Sequence, residues 1–511
     1  MRLLITCGFY HPAIGGAAEV CCRLAEEMVR RGHDVTVATA SHPDRQDDVH
    51  NGVRVVSFDI QGNWALDMSG DVEGYQRLLM AGDFDLTFHY AAQTWTTDLV
   101  LPLLGRLPAP AVLAPCGYSG LGDPRYARYF ARLKTVLPGF AALVHHSDIY
   151  QDAQYAADAG VPRCFTIPNG TDPQEFEPAE GGFRKVLGVD NRPLVLTVSN
   201  HTGSKGHQLS IHAFQSVAPA DAVFVIIGND SPDGCMAQCR SNEDLRVLIL
   251  ENLPRELVVQ AFLESDVFLL ASEVEAAPLV ILEAMTAELP WISTPVGNVK
   301  ELAGGIVADP SRLAEKIDLL LKDSRLRQEL GEQGRRWSVA HAQLPGIHDQ
   351  YEGLFQRVMG GELRGAPVPA DVLAMDMDRV QGLASFAANN WQDATDRLTH
   401  SLERDPTHDG LRLTLLSSMM QADLQTPLTE IYEIVKDELE LTPWLVQPNM
   451  LLFLLGGALG LDLDLQEAEE RAVALRLPCD QLVALAKRGR ELSAQGDGAA
   501  VQEALMSLMP S

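Results

Sequence analysis

Short apolar strands alternate with amphipathic helices along this chain, and the alternation starts twice. In the first run, Leu3–Thr6, Val35–Ala38, Val53–Phe58 and Asp85–His89 read as strands. Ala17–Arg31 has helical periodicity and stops at Gly32-His33-Asp34, with glycine just past the helix end. The pattern restarts at Pro193 with Leu194–Val198, Val223–Ile227, Val247–Leu250 and Val267–Leu270, with a helical Glu256–Glu264 among them. Strands joined by helical crossovers form parallel sheets covered on both faces. Two such runs predict an α/β protein of two Rossmann-like domains, whose ligands sit beyond the carboxyl ends of the strands. Ile167-Pro168-Asn169-Gly170-Thr171-Asp172, rich in turn residues, reads as the linker between them.

Strands disappear after the Gly/Pro-bearing stretch Arg364–Pro369. Beyond it, Gly382, Ala394 and Pro406 are evenly spaced, as are the small and turn residues of a tetratricopeptide-like helical hairpin. Phe386, Trp391 and Leu398 would fill the core of that hairpin, and Leu411–Met420 and Leu428–Leu439 continue as helices. An irregular helical bundle is the other reading. Acids outnumber bases in this tail, which suggests a basic protein partner or self-association through it.

Composition narrows the function classes. With 511 residues and 46% hydrophobic content there is material for several cores. The 69 acids against 40 bases give a net charge of −29, which repels nucleic acid and anionic lipid. No nucleic-acid partner is expected. The longest apolar run, Met450–Leu461, is shorter than the ~18–20 residues that a membrane span needs. Arg2 is followed by only a few apolar residues before Gly8, His11 and Pro12, so no signal peptide is expected and the reading is cytoplasmic. The eight cysteines include no Cys-x-x-Cys pair, and Cys235 and Cys239 have no partner cluster nearby in sequence. The expectation is therefore no metal site and no disulfide framework.

Three segments carry chemistry-bearing residues. Phe9–Glu19 holds Gly15-Gly16 between a strand and a helix, where backbone N–H groups can approach an anion; a plain tight turn is the alternative. Ser204-Lys205-Gly206-His207 follows the first strand of the second run, so Lys205 can neutralise a diphosphate or simply be a solvated lysine. In Ser272–Met285, a strand leads into a loop with Glu275, Pro278 opens a helix, and Glu283 falls within the helix's apolar face. A carboxylate there needs a partner, and sugar hydroxyls are good donors to it. Two unrelated acids are the plainer reading. Asp83-Phe84-Asp85 looks like a metal-binding pair but reads better as a turn.

Taken in order, these pieces resemble the large family-4 type of retaining glycosyltransferases. They are Gly15-Gly16, Arg31-Gly32-His33-Asp34-Val35-Thr36-Val37, Ile167-Pro168-Asn169-Gly170, Lys205-Gly206-His207, the pair Glu275 and Glu283, and Val296-Gly297-Asn298 with Glu301. The resemblance covers about 360 residues. It implies two facing Rossmann-like domains (the B-fold) and transfer of a sugar from a nucleotide-diphosphate sugar, with retention and without a metal or other cofactor. It also implies an acceptor that is a glycan, a lipid-linked molecule or a protein. By the same resemblance Glu275 binds donor-sugar hydroxyls and Glu283 the ribose. Lys205 and the N–H groups near Leu279 and Val280 meet the diphosphate, with Gly15 and Gly16 facing them across the cleft. Three positions depart from the pattern. Asn200 stands where an arginine is usual, Ala276-Ala277 where Gly-Phe is usual, and Cys116-Gly117 where His-Gly is usual. His89 is the candidate replacement for the missing histidine, with His145 and His146 behind it. The implied domains are 1–168 (closed by a helix over 345–360), 169–344 and a helical 370–511. A non-catalytic B-fold scaffold, acting through its helical tail, is the alternative.

Overall fold

A computed structural model describes the chain apart from residues 66–67, 178–181, 190, 232, 369–377, 380, 384, 387, 405–410, 423–425, 442–445, 462–478, 496–497 and 509–511. Two of the sequence landmarks, Pro369 and Pro406, lie outside the described residues. The chain divides into two compact units. One comprises Met1–Ser57, Gly82–Thr97 and Leu107–Pro367, and the other Phe58–Ala81, Asp98–Arg106 and Val368–Ser511.

The first ten strands are β1 (Arg2–Thr6), β2 (Asp34–Ala40), β3 (Val49–His50), β4 (Val53–Phe58), β5 (Ile60–Gly62), β6 (Met68–Gly70), β7 (Leu86–Tyr90), β8 (Ala111–Ala114), β9 (Ala142–His145) and β10 (Cys164–Thr166). Eight of them form a sheet in the order β10-β9-β8-β7-β1-β2-β4-β3, with β3 and β4 antiparallel. Its central strand β1 pairs in parallel with β2 on one side and β7 on the other. Helices cover both faces, which is why Leu3, Ile5, Val35, Val37, Leu86 and Phe88 are all fully or almost fully buried.

The remaining strands are β11 (Leu194–Val198), β12 (Val223–Ile227), β13 (Val247–Leu250), β14 (Val267–Leu270), β15 (Trp291–Ser293) and β16 (Gly305–Val307). They make a second, wholly parallel sheet in the order β13-β12-β11-β14-β15-β16. Its two faces bury separate apolar clusters, one around Phe262, Phe268 and Met285, the other around Phe214, Phe224 and Ile317. In each sheet the strand order reverses at the first strand, β1 or β11, so a crevice opens beyond its carboxyl end. The fold is thus two Rossmann-like parallel sheets followed by helices.

The chain crosses between the sheets twice. At Ile167–Thr171 it leaves the first, and near Ala342–Leu344 it comes back. The crossings bond to each other: Thr171 N–H donates to the Ala342 carbonyl at 2.8 Å, and Leu344 N–H to the Thr171 carbonyl at 3.1 Å. The returning helix, Leu344–Met359, sets Ile347, Tyr351, Leu354, Phe355 and Val358 into the core of the first sheet. The Phe88 and Tyr351 rings meet edge to face at 5.6 Å.

The second unit extends beyond the tail. It takes in the β5–β6 hairpin, the helix Val72–Ala81 and residues 98–106. Within it, the Arg379 guanidinium donates to the Trp64 carbonyl, and Trp64 N–H donates to Asp98 Oδ2 at 2.9 Å. The tail helices bury Leu416, Met420, Ile431, Val435, Leu451 and Leu454 in one cluster. Ala394 and Leu398 are fully buried, Phe386 lies 5.3 Å from Trp391, and a Cβ on Gly382 would lie 2.7 Å from Leu398. Among the described residues, no helix is long and apolar enough to cross a membrane.

Candidate active site

The crevice in the first unit is built by loops at the carboxyl ends of β1 and β11. Gly15 precedes the helix Gly16–Arg30 in an extended conformation that leaves the turn open. Opposite it, Pro278 precedes the helix Leu279–Thr286. A first helical turn has no intrahelical acceptors for its N–H groups, so those of Leu279 and Val280 are available to an anion. A Cβ placed on Gly16 would lie 3.7 Å from the Leu279 side chain, so the two loops face each other closely. Asn200 bridges the same gap, its Nδ2 donating to the Ile14 carbonyl at 3.3 Å.

Lys205 and Glu275 converge. Lys205 Nζ lies 2.7 Å from Glu275 Oε1, and Ser272 Oγ donates to the same oxygen at 2.8 Å. The loop holding Lys205 needs Gly206. That residue has a φ of +66°, and any Cβ would fall 2.0 Å from the Ala271 carbonyl oxygen. Gly297 is similarly confined, since its Cβ would lie 2.3 Å from the carbonyl oxygen of Ala276. The motif glycines at 206 and 297 therefore pack the loops that carry the two charged groups.

Glu283 is placed on a different wall. It lines a recess with Arg23, Asn169, Glu175, Arg255 and Leu279. Arg255 Nη2 lies 2.6 Å from Glu283 Oε1 and 3.0 Å from Glu175 Oε2, and Arg23 Nη2 donates to both Glu175 oxygens at 3.0 Å. Burial pushes the Glu283 carboxyl up, and Arg255 opposes that. Burial would raise Glu175 too, but Arg255 and Arg23 hold it below the usual range. This chain of alternating charges spans both domains, since Arg23 belongs to the first and the other three to the second. Arg255 and Glu175 carry no motif in the sequence. Pro254 before a helix start is the only local cue, and it does not point to a residue 28 positions later.

His89 is a correction. It lies on β7 with no exposure, and both its ring nitrogens are engaged, Nδ1 with Thr6 Oγ1 at 2.8 Å and Nε2 with Thr87 Oγ1 at 2.9 Å. Burial lowers its pKa to about 3. It is a neutral core histidine and does not reach the crevice. His146 is buried as well, between Tyr90 Oη at 3.1 Å and the Ile167 carbonyl at 3.0 Å. It stands 3.8 Å from Cys116 Sγ, whose thiol burial pushes up to about 12. His145 faces Asp152 at 3.2 Å; burial works against its charge, but Asp152 keeps it protonated up to about 9. What does reach the crevice is Gly117, in the left-handed region at φ +97°, where a Cβ would lie 2.6 Å from that of Ala276. The Cys116-Gly117 turn and the Ala276-Ala277 turn are thus apposed, both at positions that depart from the family pattern. Asp83 and Asp85 pair with Arg2 at the amino end of β1, opposite the crevice.

Comparison with known proteins agrees with this fold. Residues 15–170 match the glycosyl transferase 4-like domain, and residues 182–337 match glycosyl transferases group 1. N-acetyl-alpha-D-glucosaminyl L-malate synthase of Bacillus anthracis is 24% identical over 71% of this chain and 99% of its own length. A GDP-mannose-dependent alpha-mannosyltransferase of Mycobacterium tuberculosis is 24% identical over 70% of this chain and 97% of its own. Among solved structures, Anabaena HepE in complex with UDP-glucose shares the fold with a TM-score of 0.59 at 17% identity, over 70% of this chain and 99% of that one.

Proposed function

Starting from a chain that is a glycosyltransferase of the two-Rossmann-domain type, we infer that it transfers a sugar from a UDP- or GDP-linked donor to an acceptor hydroxyl, with retention and without a catalytic metal. The observation that carries this reading is the convergence of Lys205, Glu275 and the start of the helix Leu279–Thr286 opposite Gly15-Gly16. The bond that breaks joins the anomeric carbon to the diphosphate oxygen, so negative charge grows on the leaving diphosphate. Lys205 and the N–H groups of Leu279 and Val280 are fixed where they can meet that charge as it forms. A cation and a helix start supply what a divalent ion supplies elsewhere. The acceptor oxygen bonds the anomeric carbon on the face the diphosphate leaves, and its proton departs with the leaving group.

In this reading Glu275 exchanges its contact with Lys205 for donor-sugar hydroxyls, and Glu283 accepts from the ribose hydroxyls. Asn200, in place of an arginine, leaves the diphosphate with one cation fewer. The donors of the similar proteins, UDP-glucose and GDP-mannose, support a nucleoside-diphosphate hexose as the class. Calorimetric titration with UDP and GDP tests the assignment against Glu283→Ala. The expected loss is about 1.5–3 kcal/mol of nucleotide affinity, that of a hydrogen bond to a charged group. Unchanged affinity in a folded Glu283→Ala chain removes Glu283 from the ribose site.

A further inference from the structure

Four ligand-type side chains meet inside the second domain, away from the carboxylates of the crevice. His201, His207, Cys235 and Cys239 are all buried, and one potential ligand atom from each lies within 4.8 Å of those of the others. The sequence suggested no partners for Cys235 and Cys239. The fold supplies them, because the loop after β11 and the loop after β12 lie side by side at neighbouring strand ends. Cys235 and Cys239 share one face of the helix Cys235–Arg240, a turn apart. His201 comes from the loop after β11, and His207 opens the next helix.

We propose that this His2Cys2 cluster is a structural metal site for a zinc-class divalent ion. Distances fit the ion. A tetrahedral zinc site with bonds of ~2.3 Å to sulfur and ~2.0–2.1 Å to nitrogen has sulfur and nitrogen about 3.6 Å apart. Cys235 Sγ lies 3.4 Å from His207 Nδ1 and 3.9 Å from His201 Nδ1. Two of the four residues have outer contacts of the kind that orient metal ligands. Ser199 Oγ meets His207 Nε2 at 2.8 Å, which turns Nδ1 towards the cluster, and Gln208 Nε2 donates to Cys239 Sγ at 3.4 Å. The ring nitrogen Nε2 of His201 is buried and has no hydrogen-bond partner among the described residues. Both cysteines are free thiols. Four protein ligands close the coordination sphere, so such an ion has no open position for substrate and acts by bracing the fold.

What it braces is the turn between its two histidine ligands, which carries Lys205. Asp233 ties the same two segments, accepting from Gly203 N–H at 2.6 Å and from Cys235 N–H at 3.0 Å. The consequence for Lys205 rests on the donor reading above; the metal site itself does not.

The test is metal analysis of the full-length chain, expressed with added zinc and purified without chelator. The expected content is about one equivalent of zinc per chain. Cys239→Ser should lose it, and cobalt(II) in the unmodified chain should show thiolate charge transfer with tetrahedral d–d bands. Exhaustive chelation should lower Tm, and added zinc should restore it. A chain with less than about a tenth of an equivalent that also takes up no thiolate-bound cobalt overturns the proposal. So does a folded Cys239→Ser chain that keeps its metal in full. Zinc bound in one equivalent with no nucleotide affinity would refute the donor reading and leave the metal site standing.

Discussion

Arg255→Met is the most searching perturbation of the crevice, because Arg255 is the cation that faces Glu283. Breaking a fully buried ion pair costs about 3–5 kcal/mol, and an exposed one costs about 0–1. Glu283 is 13% exposed and Arg255 38%, while Glu175 keeps Arg23, so this site falls between those limits. A loss of about 2 kcal/mol follows, screened on the solvent side of Arg255. The loss should depend on pH. Burial raises the Glu283 carboxyl in the folded chain, so the unfolded chain ionises first as pH rises and stability falls between the two values. Arg255 opposes that shift; without it the carboxyl rises further and the fall continues to higher pH. Below the ordinary carboxylate range both states are protonated and the variant should approach the parent. Thermal unfolding of both proteins from pH 4.5 to 8, with UDP titration at each pH, measures this. The expected outcome is a Tm deficit that widens with pH, together with UDP binding about tenfold weaker at pH 7. A deficit that is the same at every pH would refute a charged Glu283 held by Arg255.

Lys205→Ala should lower kcat for donor turnover more than it raises donor KM, because the charge it meets grows in the transition state. A pure KM effect in steady-state kinetics would assign Lys205 to ground-state binding. Gly206→Ala should cost about 1–3 kcal/mol or more in chemical denaturation, because it combines a left-handed backbone with a clash against the Ala271 carbonyl. His145, protonated up to about 9 when folded, adds stability that is complete below its unfolded value near 6.5 and is lost as pH rises through 9. His145→Gln should therefore flatten the stability profile between pH 6.5 and 9, as denaturant titration would show.

The two sheets were legible because strands buried on both faces read as continuous apolar runs bounded by turn residues, as Leu194–Val198 and Val223–Ile227 do. That Lys205 and Glu275 would come together was legible because each lies just past a strand end of the same sheet. Arg255 was not, since its ion pair with Glu283 is made by helix packing rather than spacing. His89 misled for a related reason: its place at a strand end suggested the crevice, but the ring is buried and bonded to Thr6 and Thr87. The His2Cys2 cluster was hidden because its halves sit on different loops, joined only by the pairing of β11 with β12. Nor does any local pattern in residues 58–81 show that they fold with the tail.

That last arrangement sets a timetable for synthesis. The hydrogen bond from Arg379 to Trp64 closes a separation of 315 residues. At ~5–20 residues per second, Trp64 is made roughly 15–60 s before Arg379. Both sheets of the first unit can be complete in that interval, while the β5–β6 hairpin and the helix Val72–Ala81 still lack the tail they fold with. Trp64, buried in the finished protein, waits for that bond until then. A chain cut short before Arg379 cannot make that bond, and the hairpin and helix are left without the segment they fold with.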